Sequence, residues 1–258
     1  MADKSASPAS VKKIREKLEK GGVTLGSWMQ LDCPSAAEIM GQAGYDWVAV
    51  DLEHGHFSLS GLPDVFRALA LGGTLPFARI ARGGSKEIKQ TLDAGARGII
   101  VPMVESALDL EEWISMAFYP PKGCRGVGYS RANLFGKDFE GYAETHGDDL
   151  FMVAQIESIA GVNQLEDILR VPGLDAIIIG PYDLSGSMGM TAEFSRPEFK
   201  SVLDKIEVCC RKAGIPSGIH VVQPDQGLLA EKVAQGYQFI AYGIDAVFLY
   251  NQAEAPGL

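Results

Sequence analysis

The sequence predicts an α/β fold of the (β/α)8, or TIM, barrel type. Eight short β-rich runs occur, nearly all followed by a segment with helical spacing. Most of these runs are apolar on both faces, as strands of a buried parallel sheet are. The length, 258 residues, is that of eight βα units. An open doubly wound sheet also alternates, but its nucleotide-binding form needs a glycine-rich first turn. None follows the first run here.

Taken in order, residues 1–9 are small and polar and read as a loose tail. Residues 10–20 suit an N-terminal amphipathic helix with Val11, Ile14 and Leu18 on one face. The strand candidates are 23–29, 45–51, 75–80, 97–102, 151–157, 174–180, 216–221 and 237–243. Helical spacing marks 34–43, 60–72, 85–94, 106–117, 160–169, 197–213 and 224–235. No repeat or linker divides the chain, so 1–258 reads as a single domain. Residues 118–149, between the fourth and fifth units, are too long for an ordinary connection. They carry Tyr119, Tyr129, Phe135 and Tyr142, too many aromatics for disorder, and are expected to fold over the barrel mouth.

Composition removes whole function classes. The formal net charge is −10, and the most basic stretch, Lys12–Lys20, contains Glu16 and Glu19. A nucleic-acid partner requires a basic face, so none is expected. There is no apolar run of the roughly eighteen residues that a membrane span needs, and no apolar signal core near the N-terminus. Cys33, Cys124, Cys209 and Cys210 lack the spacing of a zinc cage or disulfide framework. Free thiols in the cytoplasm are the expectation.

In a barrel, chemistry gathers at the C-terminal ends of the strands. The second strand ends Asp51-Leu52-Glu53-His54-Gly55-His56, the third carries Arg79, the fifth ends Gln155-Ile156-Glu157, and the sixth ends Gly180-Pro181-Tyr182-Asp183. Glu157 and Asp183 follow consecutive strands and should be neighbours. Two readings fit them equally: oxygen ligands of a hard divalent ion, or caps of the helices that follow. Arg79 can grip a carboxylate bidentately, or form a structural ion pair with Asp51 or Asp93. Asp51 can orient the His54 imidazole as a general base. Every lysine falls in a predicted helix, a loop or the tail, which disfavours Schiff-base chemistry. Walker, G-x-S-x-G and H-E-x-x-H patterns are absent.

Several motifs occur in a specific order: Gly26-Ser27-Trp28, AGYDWVAVDLEHGHFS (43–58), Ala78-Arg79-Ile80, LDAGARGIIVPMVES (92–106), YPPKGCRGVGYSRAN (119–133), QIES (155–158) and VPGLDAIIIGPYDLSGSMG (171–189). Together, over roughly residues 22–250, they resemble the HpcH/HpaI family of metal-dependent 2-keto acid aldolases. The resemblance implies a barrel that binds Mg²⁺, Mn²⁺ or Co²⁺ and makes or breaks a carbon–carbon bond between a pyruvate enolate and an aldehyde. It implies Glu157 and Asp183 as metal ligands, and Arg79 as the pyruvate-binding arginine. His54 with Asp51 would form an acid–base dyad, with Asp93 a further catalytic aspartate. Gln155, Gly180, Pro181 and Tyr182 would contact substrate. A homo-oligomer is implied, commonly a hexamer, with the last helix packed on a neighbour.

The chain departs from the family pattern at Ile80-Ala81, at Gly55-His56 and at Tyr182, where the family has alanine. These positions bear on which aldehyde is accepted. Oxaloacetate decarboxylation through the same enolate, or non-catalytic pyruvate binding, would use the same residues.

Overall fold

The computed structural model describes residues 9–253 and residue 255. Apart from Ala9, the expected tail lies outside the described residues. Eight parallel strands close a barrel in sequence order: β1 Thr24–Met29, β2 Trp47–Asp51, β3 Leu75–Arg79, β4 Gly98–Val101, β5 Phe151–Ile156, β6 Ala176–Ile179, β7 Gly218–Val221 and β8 Phe239–Ile244, with β8 pairing back to β1. Every strand falls within two residues of its expected bounds. The barrel helices are α2 Pro34–Gln42, α3 Leu62–Leu71, α4 Ser85–Ala94, α5 Ala107–Ala117, the broken pair α7 Ile159–Asn163 and α8 Leu165–Ile168, α10 Pro197–Ala213 and α11 Gln226–Gln235. The sequence reading lacks α6 Phe139–Thr145, α9 Pro181–Ser187 and α12 Asp245–Gln252, all of eight residues or fewer. Among the described residues no helix is long and apolar enough to cross a membrane.

The period-two alternation of each strand separates two cores. Outward-facing residues such as Val48, Val50, Ile99 and Ile177 pack against the helices. Inward-facing residues fill the barrel. Trp47, Phe77, Phe151 and Phe239 stack at centroid distances of 4.3–5.7 Å between nearest rings. Glycines make room for them: a Cβ on Gly26 would collide with the Trp47 ring, and one on Gly98 would come within 2.6 Å of Phe77. The Trp47 indole N–H donates to Thr24 Oγ1 at 3.3 Å, so its one polar atom is satisfied inside.

Helix α1, Val11–Glu19, is capped by Ser10, whose hydroxyl accepts from the Lys13 N–H. It seals the barrel floor by burying Val11, Ile14 and Leu18 against the aromatic layer. Arg15 pins it there, its Nε 2.7 Å from Asp175 Oδ1 and its Nη1 donating to the Asp148 carbonyl. α1 therefore sits at the N-terminal pole, away from the strand ends where chemistry gathers.

The expected cover over the mouth is corrected for the same reason. Segment 118–149 joins the end of α5 to the start of β5, so it folds at the N-terminal pole. It packs there around Arg125, whose fully buried side chain lies 2.6 Å from Asp93 Oδ1 and stacks on Tyr119 and Tyr142.

The aromatic layer sets barrel stability. Phe239→Ala is expected to cost about 3–5 kcal/mol, measured as a lower urea midpoint of unfolding. An unchanged midpoint would mean the ring is not under packing load.

Candidate active site

Above the aromatic layer the inward positions turn polar, and the strand ends enclose a cavity of about 340 Å³. Asp51, His54, Arg79, Gln155, Gly180, Pro181, Tyr182 and Asp183 all line it, so eight of the ten residues singled out from the sequence converge. Glu157 lies immediately behind, 3% exposed. Its Oε2 would be only 2.6 Å from a Cβ placed on Gly180, so glycine is required for this close approach.

Register explains the central pair. Asp51 and Arg79 are direct partners on β2 and β3, so their side chains leave the sheet on the same face. Arg79 Nε and Nη2 grip the two carboxylate oxygens of Asp51 at 3.0 and 2.6 Å. Its Nη1 lies 3.1 Å from Glu53 Oε2, and its guanidinium lies 5.3 Å from the Trp28 ring. Of the guanidinium's five N–H groups, this leaves one on each terminal nitrogen for a ligand. Asp51 is 0% exposed. Burial pushes its carboxyl up, but Arg79, the Gln30 amide and the His54 N–H together hold it below the usual range.

The Asp51–His54 relation differs from the expected dyad. Asp51 Oδ1 accepts from the backbone N–H of Glu53 at 3.1 Å and of His54 at 3.2 Å. Its oxygens are otherwise taken by Arg79 and Gln30, so Asp51 orients the loop rather than the imidazole. The His54 ring is open to the cavity and has no hydrogen-bond partner among the described residues. Asp93 does not join the cavity. It sits at the end of α4, which runs antiparallel to the strands and so delivers it to the opposite pole, beside Arg125.

Neither acid is the N-cap of the helix that follows, although Asp183 stands in the first turn of α9. Ser158, not Glu157, caps α7, and α9 has no side-chain cap bond. Glu157 instead receives the Met103 N–H at 2.7 Å and the Gln155 side-chain amide. Met103 takes a left-handed φ of 50° as it does so. Burial pushes Glu157 up to about 6. The Met103 and Gln155 bonds oppose that shift, while the charges of Glu53 and Asp183 reinforce it. Gln155 Oε1 is buried without a partner.

Three aromatic or polar cavity residues have no role assigned from the sequence: Trp28, Gln30 and His220. The His220 ring stacks on Trp28 at 4.9 Å, and its Nε2–H donates to the Gly243 carbonyl at 3.1 Å. They stand at the ends of β1 and β7, where the strand ends carry no acid or base pair that marks them as a site.

Two measurements test this geometry. Arg79→Ala strands a buried carboxylate and is expected to destabilise the fold by about 3–5 kcal/mol, read by urea unfolding. His220 is held down to about 4, chiefly by burial, against 6.5 ordinarily. The unfolded chain therefore binds more protons between those values, and stability falls as pH drops from 6.5 toward 4. His220→Gln is expected to flatten that part of the pH profile of Tm. An equally steep profile would refute the assignment.

Comparison with known proteins identifies the family. The sequence profile of the HpcH/HpaI aldolase/citrate lyase family matches residues 24–252. A hydroxypyruvate/pyruvate aldolase of Agrobacterium fabrum is 35% identical over 250 residues, 96% of this chain and 93% of that one. A 2-keto-3-deoxy-L-rhamnonate aldolase of Escherichia coli is 36% identical over 242 residues, 93% of this chain and 89% of that one. The crystal structure of an HpcH/HpaI aldolase/citrate lyase family protein from Burkholderia cenocepacia superposes with a TM-score of 0.87 at 29% identity, covering 93% of this chain and 95% of that one. The chain belongs to the HpcH/HpaI aldolase/citrate lyase family and is a carbon–carbon lyase.

Proposed function

We propose that the cavity is the active site of a metal-dependent aldolase, which joins pyruvate to an aldehyde or cleaves the resulting 4-hydroxy-2-keto acid. One observation carries the reading: Glu157, Asp183 and the unpartnered Gln155 oxygen lie at the same strand ends as an arginine with free N–H groups. The family resemblance implies a metal, and the donors here suit a hard divalent cation. Both acids offer oxygen, Gly180 leaves space against Glu157, and the charge of Asp183 adds to the need of Glu157 for a positive partner. Among the described residues no cluster of three or more His, Cys, Asp or Glu side chains is arranged for a metal. Glu157 and Asp183 would therefore hold Mg²⁺, Mn²⁺ or Co²⁺ with coordination positions left for water and substrate.

When bound, such an ion supplies Lewis-acid stabilisation of negative charge developing on the keto oxygen. The protein supplies the rest. Arg79, fixed by Asp51 and Glu53, directs its remaining N–H groups at the 2-keto acid. His54, with its ring unengaged, takes the proton of the C4 hydroxyl. The C3–C4 electron pair then moves toward the keto group as the aldehyde leaves, and a proton returned to C3 completes pyruvate. Gly180, Pro181 and Tyr182 form the wall beside the acids. Tyr182 stands at the rim with its ring edge-on to Phe194, where it meets the aldehyde side.

The setting of the enzyme belongs to the same proposal. Exposed free thiols at Cys33 and Cys124 support a reducing cytoplasm. Leu249 and Tyr250, exposed on α12, support a homo-oligomer, which the family resemblance implies is a hexamer.

The test is a pyruvate-plus-aldehyde panel after chelation and single-metal add-back. Stripped protein should be inactive and one divalent ion should restore turnover. His54→Ala should lower kcat by about 10²–10⁴-fold while leaving the metal Kd unchanged. Glu157→Gln should weaken metal binding itself. Full activity in chelator, or equal losses of kcat and metal affinity in His54→Ala, would contradict these roles.

A further inference from the structure

At the pole opposite the catalytic cavity, the N-terminal ends of β3, β4 and β5 border a second cavity of about 540 Å³. Three arginines line it: Arg67 from α3, Arg97 just before β4, and Arg131 from the 3-10 turn of segment 118–149. The chain as a whole carries a net charge of −10, so three guanidiniums around one hollow run against its composition. The lining includes a single carboxylate, Asp149, which lies 3.2 Å from Arg97. Arg67 pairs with exposed Asp64 outside the lining, and Arg131 Nη1 donates to the Ala94 carbonyl at 2.8 Å. None of these contacts exhausts the N–H groups of its arginine.

A separate observation points to a missing ligand. His146 also lines this cavity, is 4% exposed, and its Nε2 is buried with no hydrogen-bond partner. A buried polar atom without a partner costs about 1–3 kcal/mol, a cost that a ligand drawing the ring toward the cavity would relieve. Burial, and then the charges of Arg125, Arg97 and Lys122, hold this histidine down to about 4, so it offers a neutral ring to the cavity. Burial, and then Arg67 and Arg97, likewise press down on Arg131, with only Asp64 opposing. Positive charge thus surrounds the hollow from α3, from the start of β4 and from segment 118–149.

We propose that this cavity is a second ligand site, specific for a small oxyanion of the phosphate type and held by Arg67, Arg97, Arg131 and His146. A tetrahedral dianion suits converging guanidiniums, each of which can bind two of its oxygens. The anion is either free phosphate or the phosphoryl group of a small metabolite. It lies across the aromatic barrel core from the catalytic cavity, so the site is independent of the aldolase reading.

The test is calorimetric titration of the intact protein with inorganic phosphate in one arm and glycerol 3-phosphate in the other, with sodium chloride at matched ionic strength as reference. Saturable binding is expected in at least one arm, and the tighter arm identifies the source. Arg67→Gln and Arg131→Gln should each weaken Kd about tenfold. Arg67 is half exposed, so its variant is expected to fold even if Arg131→Gln does not. An anion bound at Arg79 instead would keep its affinity in both variants, and that result overturns the proposal. So does binding no stronger than the chloride reference.

Discussion

The site depends on a buried charge pair. Asp51 and Arg79 sit side by side on β2 and β3, almost wholly removed from water, and are joined by two hydrogen bonds. Two unpaired charges at this depth would be prohibitive, whereas a bidentate pair is sustainable. The pair does more than survive burial. It fixes the guanidinium plane against Trp28, turns two N–H groups toward the cavity, and ties down the loop that carries His54 through that loop's own N–H groups. Binding geometry and loop geometry therefore share one anchor.

The barrel interior supports this anchor by dividing labour along its axis. Four aromatic rings, interleaved with glycines and sealed below by α1, make a dry lower half. Above them the same alternation delivers Trp28, Asp51, Arg79, Gln155 and His220 to the cavity. The rigid floor lets the polar layer hold fixed distances. Burial at the strand ends, reinforced by the charges of Glu53 and Asp183, raises the carboxyl of Glu157. The opposite pole is built differently. The long segment after α5 wraps Arg125 in tyrosines there and brings Arg131 alongside Arg67 and Arg97.

Much of this was legible in the sequence because strand periodicity and strand ends are local signals. Eight apolar runs located the strands, and reading their last residues found Asp51, Arg79, Gln155, Glu157 and Asp183. What escaped had nonlocal causes. Asp93 lies in a specific motif, yet motif order says nothing about the pole at which a helix ends. The long connection was assigned to the mouth from its aromatic content, although its place between a helix end and a strand start directs it to the floor. Asp51 and His54, three residues apart, suggested a side-chain dyad. The β2–β3 register, invisible in one strand alone, gives that carboxylate to Arg79 instead. His220 stands at a strand end with no marker of a role beside it in sequence; its neighbours Trp28 and Arg79 come from other strands.

In the proposed chemistry, a divalent ion held by Glu157 and Asp183 would act with Arg79 to stabilise negative charge on the keto oxygen of a pyruvate unit. Deuterium uptake at the pyruvate methyl group, followed by proton NMR in heavy water without any aldehyde, tests that step in isolation. Rapid exchange is expected with Mn²⁺ or Mg²⁺ present, and exchange at the uncatalysed rate in metal-stripped protein and in Asp183→Asn. Undiminished exchange in either would contradict it.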